Sequence, residues 1–140
     1  MPVSFAYQVS SFRIKNKKQI TEWMLLVAYL EEKQIENVGF VFCDDDFLLA
    51  LNKKFLSHKT FTDIITFDYS EKKKISAEIY ISVPRVKENA SSFKTSFKNE
   101  LHRVMIHGVL HCMGYHDKSE RAKKQMRKKE DRYLLLLSEM

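Results

Sequence analysis

The chain has 140 residues, of which 44% are hydrophobic, so the sequence supports one folded domain and excludes a disordered protein. Its formal charge of +6 suits a polyanionic partner but does not by itself identify one. The N-terminus lacks the pattern of a secretory signal, and the longest apolar run, Trp23 to Leu30, is too short to span a bilayer. Two cysteines without metal-type spacing favour a reduced compartment, so we expect a cytoplasmic protein.

The first half of the chain alternates between predicted strands and predicted helices. A segment from Phe5 to Ile14 is predicted to be a strand. A capping-box pattern at 16–19, followed by apolar residues at helical spacing, predicts a helix over 17–34. Val38–Cys43 is rich in residues that favour strands. Three aspartates at 44–46 then indicate the start of a second helix, because the helix dipole stabilises negative charge there.

The second half of the chain predicts a hairpin and further helices. Thr62–Tyr69 and Ala77–Val83 have the composition of strands and are joined by a lysine-rich turn. A helix or a pair of helices is predicted over 84–114, and a last helix is predicted from about 119 to 137. Together these elements predict an α+β fold in which a small mixed β-sheet is covered by helices. We expect residues 1–140 to form a single domain.

A histidine pair near the end of the long helical region carries the strongest chemical signal. His107 and His111 stand four residues apart, so on a helix both imidazoles can reach one metal ion. Gly114 follows, where the helix can end with a positive φ and the chain can turn back. His116 or Asp117 can then supply a third ligand, which leaves a fourth position for water, as in catalytic zinc sites.

The helix that carries these histidines has one polar face. Glu100, Arg103, His107 and His111 follow steps of three and four residues and therefore lie on the same side. We interpret this face as the wall of a cleft, with Glu100 orienting a ligand histidine or Arg103 meeting an anion. His102 lies off this face and is expected at the protein surface.

Three segments resemble the YbeY-type endoribonucleases, which are also called ribosomal RNA maturation factors. HGVLHCMGYHD at 107–117 is similar to the family pattern H-G-x-L-H-x-x-G-Y-D-H. LNKKF at 51–55 and TDIITF at 62–67 resemble L-N-x-x-Y-R and T-D-V-L-S-F, and AEIYIS at 77–82 resembles G-D-I-x-I-S. The resemblance covers most of the chain after about residue 38. It implies a metal-dependent hydrolase, a single-strand endonuclease for RNA that acts in ribosomal RNA maturation.

The third metal ligand departs from the family pattern. The family's final Asp-His appears here in reverse, as His116-Asp117. By register, Asp117 takes the place of the family's third histidine, and a carboxylate oxygen is a sound zinc ligand. His116 is the rival ligand and would need a different turn after Gly114. The resemblance thus implies one Zn²⁺ per chain on His107, His111 and Asp117, which would serve catalysis through the metal.

A second departure concerns the arginine of the L-N-x-x-Y-R segment, which is Leu56 here. By resemblance, that arginine is expected to be needed for RNA cleavage, and a leucine cannot bind a phosphate. Other side chains must therefore contact the RNA, and the basic segment after the motif is expected to hold phosphates. The candidates for RNA binding are His58, Lys59, Arg85, Arg103, Lys118 and Arg121.

Three functions stay open at this point. The first is a zinc-dependent single-strand endoribonuclease. Its expected partners are ribosomal RNA and the small ribosomal subunit, and we expect it to bind neither DNA nor a membrane. The second is a ribosome-assembly or RNA-binding factor with a structural metal and little cleavage, which Leu56 would explain. The third is a zinc hydrolase of another substrate. A peptidase is disfavoured, because zinc peptidases carry a glutamate where this chain has Gly108.

Overall fold

The computed structural model describes residues 1–56 and 61–140 and shows a mixed sheet flanked by helices. In the described residues, the strands lie in the order β1-β2-β4-β3, with β1, β2 and β4 parallel and β3 antiparallel to β4. The predicted α+β fold with a small mixed sheet is confirmed. The elements in chain order are β1 (Val3–Tyr7), α1 (Lys17–Leu30), β2 (Gln34–Cys43), α2 (Asp45–Leu56), β3 (Ile64–Asp68), β4 (Lys74–Ser82), α3 (Val83–Ser92), α4 (Phe97–Cys112) and α5 (Glu120–Ser138).

The predicted hairpin, the pair of helices and the last helix are all present, but two elements near the N-terminus differ from prediction. The first strand covers residues 3–7 rather than 5–14, because the chain folds back and the Ile14 amide donates a hydrogen bond to the Tyr7 hydroxyl. The first helix ends at Leu30 rather than at 34, because Glu32 adopts a positive φ of 58°. The predicted capping box is also wrong, since Asn16 bonds the side chain of Gln19 and caps no backbone amide.

Helix α4, which carries His107 and His111, packs closely on the sheet. Met105 and Val109 of α4 are fully buried, as is Ile79 of β4. Gly108 lies at the point of contact, where an added Cβ would stand 2.9 Å from Ile64 Cδ1 and 3.2 Å from Ile79 Cδ1. The absence of a side chain at Gly108 therefore lets α4 approach the strands closely.

The last helix is fixed beside α4 by buried contacts. Ser119 caps α5 by accepting a hydrogen bond from the Ala122 amide at 3.1 Å. Further along, Trp23 Nε1 donates a hydrogen bond to the Tyr133 carbonyl at 2.8 Å, which ties α5 to α1. The lysines and arginines of α5 are exposed, apart from the half-buried Lys129. No helix in the described part of the chain has the length and apolar character needed to cross a membrane.

Candidate metal centre

Three side chains meet at the end of α4. Nε2 of His107 lies 3.5 Å from Oδ2 of Asp117, and Nε2 of His111 lies 3.8 Å from the same oxygen. One ligand atom from each residue lies within 4.8 Å of the other two. A tetrahedral zinc ion with bonds of about 2.0–2.1 Å separates its ligand atoms by roughly 3.3–3.4 Å. The two distances to Asp117 are close to this value, so the three side chains could hold one metal ion if their ligand atoms moved together.

A helix-ending turn brings Asp117 back to the histidines. Gly114 has a φ of 106°, its amide donates a hydrogen bond to the His111 carbonyl, and the Tyr115 amide donates to the Leu110 carbonyl, both at 3.1 Å. These two bonds define a Schellman motif, in which glycine is favoured at the left-handed position. The predicted glycine turn is confirmed, and the chain that leaves it reverses toward the exposed end of α4.

The rival third ligand points elsewhere. His116 is exposed, and its Nδ1 lies 3.4 Å from the Lys118 amide, which donates to it. Among the described residues, the cluster that could hold a metal contains Asp117 and leaves His116 out. The geometry therefore favours Asp117 over His116 as the third ligand, in agreement with the alignment to the family pattern.

The turn is anchored by Glu31, which follows the end of α1. Glu31 accepts hydrogen bonds from the Tyr115 hydroxyl at 2.6 Å, from Lys129 Nζ at 2.9 Å and from the Tyr133 hydroxyl. Burial acts to raise the pKa of Glu31, but these three donors outweigh burial and lower the pKa below its usual value. A charged carboxylate thus fixes Tyr115, which stands two residues before Asp117.

Glu130 of α5 orients one of the histidines. Its Oε2 lies 2.6 Å from Nδ1 of His107, so Nδ1–H is donated to the carboxylate and Nε2 is left to face Asp117. Burial acts to lower the pKa of His107, but the bond to Glu130 outweighs burial and raises it. Metal-binding histidines commonly donate their second N–H to a carboxylate in this way. The hypothesis that Glu100 plays this part is wrong, because the structure gives the role to Glu130.

Sequence reasoning missed Glu130 for a definable reason. It lies on a different helix, 23 residues beyond His107, and spacing rules describe only neighbours on one helix. The one available signal was an acidic residue within a strongly basic segment. Its 4% exposed side chain also accepts a hydrogen bond from Arg103 at 2.9 Å, which stabilises the buried charge.

The two predicted arginines are engaged by carboxylates rather than free for an anion. Arg103 pairs with Glu130 at 2.9 Å and with Asp131 at 2.7 Å. Arg85 pairs with Asp45 at 2.6 Å and with Glu88 at 3.3 Å. Of the remaining candidates, Lys118 and Arg121 are exposed after the turn, and His58 and Lys59 lie outside the described residues.

The expected cleft is present beside the cluster. An open pocket of about 550 Å³ is lined by Glu100, Arg103 and His107 of α4, by Asp117, and by basic residues of α5. Asp63 also lines it and accepts a hydrogen bond from Asn89 Nδ2 at 3.2 Å. Burial raises the pKa of both Asp63 and Glu100. The pocket thus has an acidic floor near the cluster and a basic rim.

The expectation that His102 lies at the surface is wrong. Its side chain is 6% exposed, and its ring packs edge-on against Trp23 with 6.0 Å between ring centroids. Burial lowers the pKa of His102 to about 4, with a smaller contribution from the nearby charge of Lys98. Helix α4 is buried on more than one side, and His102 lies on one of these buried sides.

Comparison with known proteins agrees with the geometry. The family model for Endoribonuclease YbeY matches residues 5–138. Endoribonuclease YbeY of Flavobacterium psychrophilum is 46% identical over 134 residues, which are 96% of this chain and 95% of that protein. The Amoebophilus asiaticus protein of the same name is 48% identical over 125 residues, or 89% and 85% of the two chains. The solution structure of TM1509 from Thermotoga maritima has a TM-score of 0.68 and 28% identity, covering 96% of this chain and 88% of its own. The chain belongs to the Endoribonuclease YbeY family.

Proposed function

We propose that this protein is a zinc-dependent endoribonuclease that cleaves single-stranded ribosomal RNA, with the ion held by His107, His111 and Asp117. Membership of the family makes the chain a metal-dependent endoribonuclease of ribosomal RNA maturation. The observation that carries the assignment of the site is the convergence of three ligand atoms within 4.8 Å beside an open pocket. We place the enzyme in the cytoplasm, acting as one domain over 1–140 on RNA of the small ribosomal subunit, with neither DNA nor a membrane as partner.

The donor set supports zinc as the resident ion. Two imidazole nitrogens and one carboxylate oxygen are ordinary zinc ligands, and three protein ligands leave a position for solvent or substrate. When bound, such an ion supplies a Lewis acid that activates water or polarises a phosphoryl oxygen. Nickel and copper also bind imidazole, so direct analysis of the purified protein is needed to identify the metal.

The residues around the ligands prepare them for this role. Glu130 accepts the Nδ1 proton of His107, which orients the ring and leaves Nε2 as the ligand atom turned toward Asp117. Arg103 in turn neutralises Glu130. Gly108 gives no general base, and the closeness of Ile64 leaves no room for a glutamate at that position. The site therefore lacks the defining group of H-E-x-x-H peptidases and supports hydrolysis of a different bond.

The test compares metal content and RNA cleavage in matched variants. We expect the purified protein to hold about one zinc per chain and to cut a single-stranded RNA, with cleavage lost on chelation. His111→Ala and Asp117→Ala should lose both metal and cleavage. His116→Ala is the matched control and should keep both, because His116 is exposed and lies outside the cluster.

Two outcomes would contradict the proposal. Full metal occupancy in Asp117→Ala together with loss in His116→Ala would show that His116 is the third ligand. A protein that holds its metal but leaves single-stranded RNA intact would show that the metal is structural. Elemental analysis of each purified variant, made on the same preparation as the cleavage assay, separates these two results.

A further inference from the structure

We propose that Lys124 and Arg127 of α5 bind RNA phosphates beside the metal cluster and so supply the positive charge that is missing at Leu56. The inference rests on the proposed function, because it takes RNA to be the molecule that enters the pocket. The proposed binding surface lies on α5, whereas Leu56 is the last residue of α2. Leu56 is exposed and is not among the residues that line the pocket.

The other arginines near the pocket are not free to take this role. Arg103 donates to the buried Glu130 and to Asp131, and its own side chain is 17% exposed. If Arg103 moved to a phosphate, Glu130 would be left as a buried charge without its arginine partner, which is unfavourable. Arg85 is paired with Asp45 and Glu88 and is not among the residues that line the pocket. Phosphate binding therefore requires cations that are not already neutralised.

Lys124 and Arg127 meet this requirement. They stand three residues apart on α5, so their side chains are neighbours on one helix face. Both are exposed, and both line the pocket together with His107 and Asp117. Lys124 forms no ion pair within the described ranges, and the only carboxylate within reach of Arg127 is Glu130, at 4.0 Å. Their charges are thus available to a ligand next to the metal ligands.

The basic surface continues away from the cluster. A second groove along α5 shares Lys124 and Arg127 with the first pocket and adds Arg121 and Lys128. A strand of RNA could therefore follow the helix and contact positive charge before its backbone reaches the cluster. Arginine and lysine side chains bind phosphates without reading sequence, so this surface would hold the strand in place rather than select a base.

The packing of α5 argues against a membrane as the ligand. An interfacial helix buries an exposed apolar face in lipid. Met126 and Tyr133 of α5 are buried in the core, and its one strongly exposed apolar side chain, Leu135, lies near the C-terminal end, away from Lys124 and Arg127 in sequence. The basic side carries charged side chains, and it opens onto the metal ligands. A flexible polyanion that enters the pocket fits these features better than a lipid surface does.

The experiment measures the affinity for a labelled single-stranded RNA across a range of salt concentrations, in chelator so that the RNA stays intact. We compare the unaltered protein with Lys124→Ala/Arg127→Ala and with a control of equal charge loss, Lys15→Ala/Lys18→Ala, which removes two exposed lysines at the start of α1. Each lost phosphate contact lowers the salt slope of a single strand by about 0.7. We expect a decrease of about 1.4 for the α5 variant, none for the control, and an unchanged slope for Lys124→Arg/Arg127→Lys.

The outcomes separate this inference from the proposed function. Equal slopes for the α5 variant and the control would overturn the inference, even if the enzyme cleaves RNA normally. Tight binding of the α5 surface to phosphatidylglycerol vesicles, without any change in RNA affinity, would overturn it in favour of a membrane. Failure of the unaltered protein to cleave RNA when loaded with zinc would refute the proposed function, and the salt slopes would still test the surface. Unchanged zinc content in the α5 variant would confirm that the metal cluster is intact.

Discussion

The hydroxyl of Tyr115 donates a hydrogen bond to Oε1 of Glu31 at 2.6 Å, and this contact joins the end of α1 to the turn that carries Asp117. The two residues are 84 positions apart in the chain. Lys129 and Tyr133 of α5 bond the other oxygen of the same carboxylate. One side chain therefore connects three segments, and Asp117 stands two residues after Tyr115, which makes this connection. We therefore expect the position of Asp117 to depend on Glu31, although the structure shows no contact between Glu31 and the described residues of the cluster.

Replacing Glu31 tests this dependence. Glu31→Gln removes the charge and places an amide NH₂ against donors from Lys129 and Tyr133, so the turn should loosen. We expect zinc affinity to fall by about 10-fold, in the range seen when groups that orient ligands are lost. A competition titration with a chromogenic chelator measures this affinity. Glu22→Gln, on the exposed side of α1, is the control and should bind zinc normally. Equal affinity in both variants would show that the turn needs no support from Glu31.

Glu130 should influence the metal site through His107. In Glu130→Gln the acceptor on Nδ1 is weakened and the charge that faces Arg103 is lost, so His107 is held less firmly. We expect a decrease of 10- to 100-fold in zinc affinity. Cleavage measured at saturating zinc should recover more fully than it does in His111→Ala. Glu120→Gln, an exposed residue at the start of α5, is the control and should change neither quantity. A variant that binds zinc as tightly as the unaltered protein would contradict the assigned role.

Local rules predicted the parts of this site that neighbouring residues make. The spacing of His107 and His111 and the glycine at 114 fix two ligands and a turn within one short segment, and the structure agrees with both features. Register with the family pattern then favours Asp117. Glu31 and Glu130 come from distant elements, and no periodicity relates them to the motif. Long-range contacts of this kind are set by tertiary packing, which the spacing of residues does not encode.

The errors have physical causes of the same kind. His102 was expected outside because it lies off the polar face, but α4 is buried on several sides and the histidine packs against Trp23. The first helix was expected to continue to 34, yet the positive φ of Glu32 ends it and allows Lys33 to bond the Ala28 carbonyl. The burial of His102 and the end of α1 both depend on how other elements pack against these segments. Patterns within one segment therefore predict whether it is a helix or a strand, but they do not predict which of its residues other elements bury or where the chain turns.

The packing at Gly108 predicts that the peptidase motif cannot be built into this fold. Gly108→Glu would create His-Glu-x-x-His, but its Cβ would stand 2.9 Å from Ile64 Cδ1, and its carboxylate would enter an apolar contact. We expect a loss of more than about 3 kcal/mol in the free energy of unfolding, measured with urea. Gly39→Ala is the milder comparison, because its Cβ would meet only the Ser4 hydroxyl, which can rotate. A stable Gly108→Glu protein would show that α4 can move away from the sheet.

The burial of His102 predicts a specific acid sensitivity. Its pKa is about 4 in the folded protein, whereas an unfolded chain titrates it near 6.5. Between these values the unfolded state binds more protons, so the free energy of unfolding must fall as the pH decreases from 6.5 to 4, by about 3 kcal/mol at most. Above 6.5 both states are neutral at this residue and its contribution is constant. Urea unfolding at several pH values, in chelator throughout, measures the slope.

The control for this effect is His102→Phe, which keeps an aromatic ring against Trp23 and removes the proton-binding group. Because the other histidines and the carboxylates remain, they contribute equally to both proteins and cancel in the comparison. The variant should lose less stability than the unaltered protein between pH 7 and pH 5, although the two have similar stabilities near neutrality. Parallel pH profiles would show that His102 is protonated in the folded state without cost, which requires that it reaches water or a carboxylate.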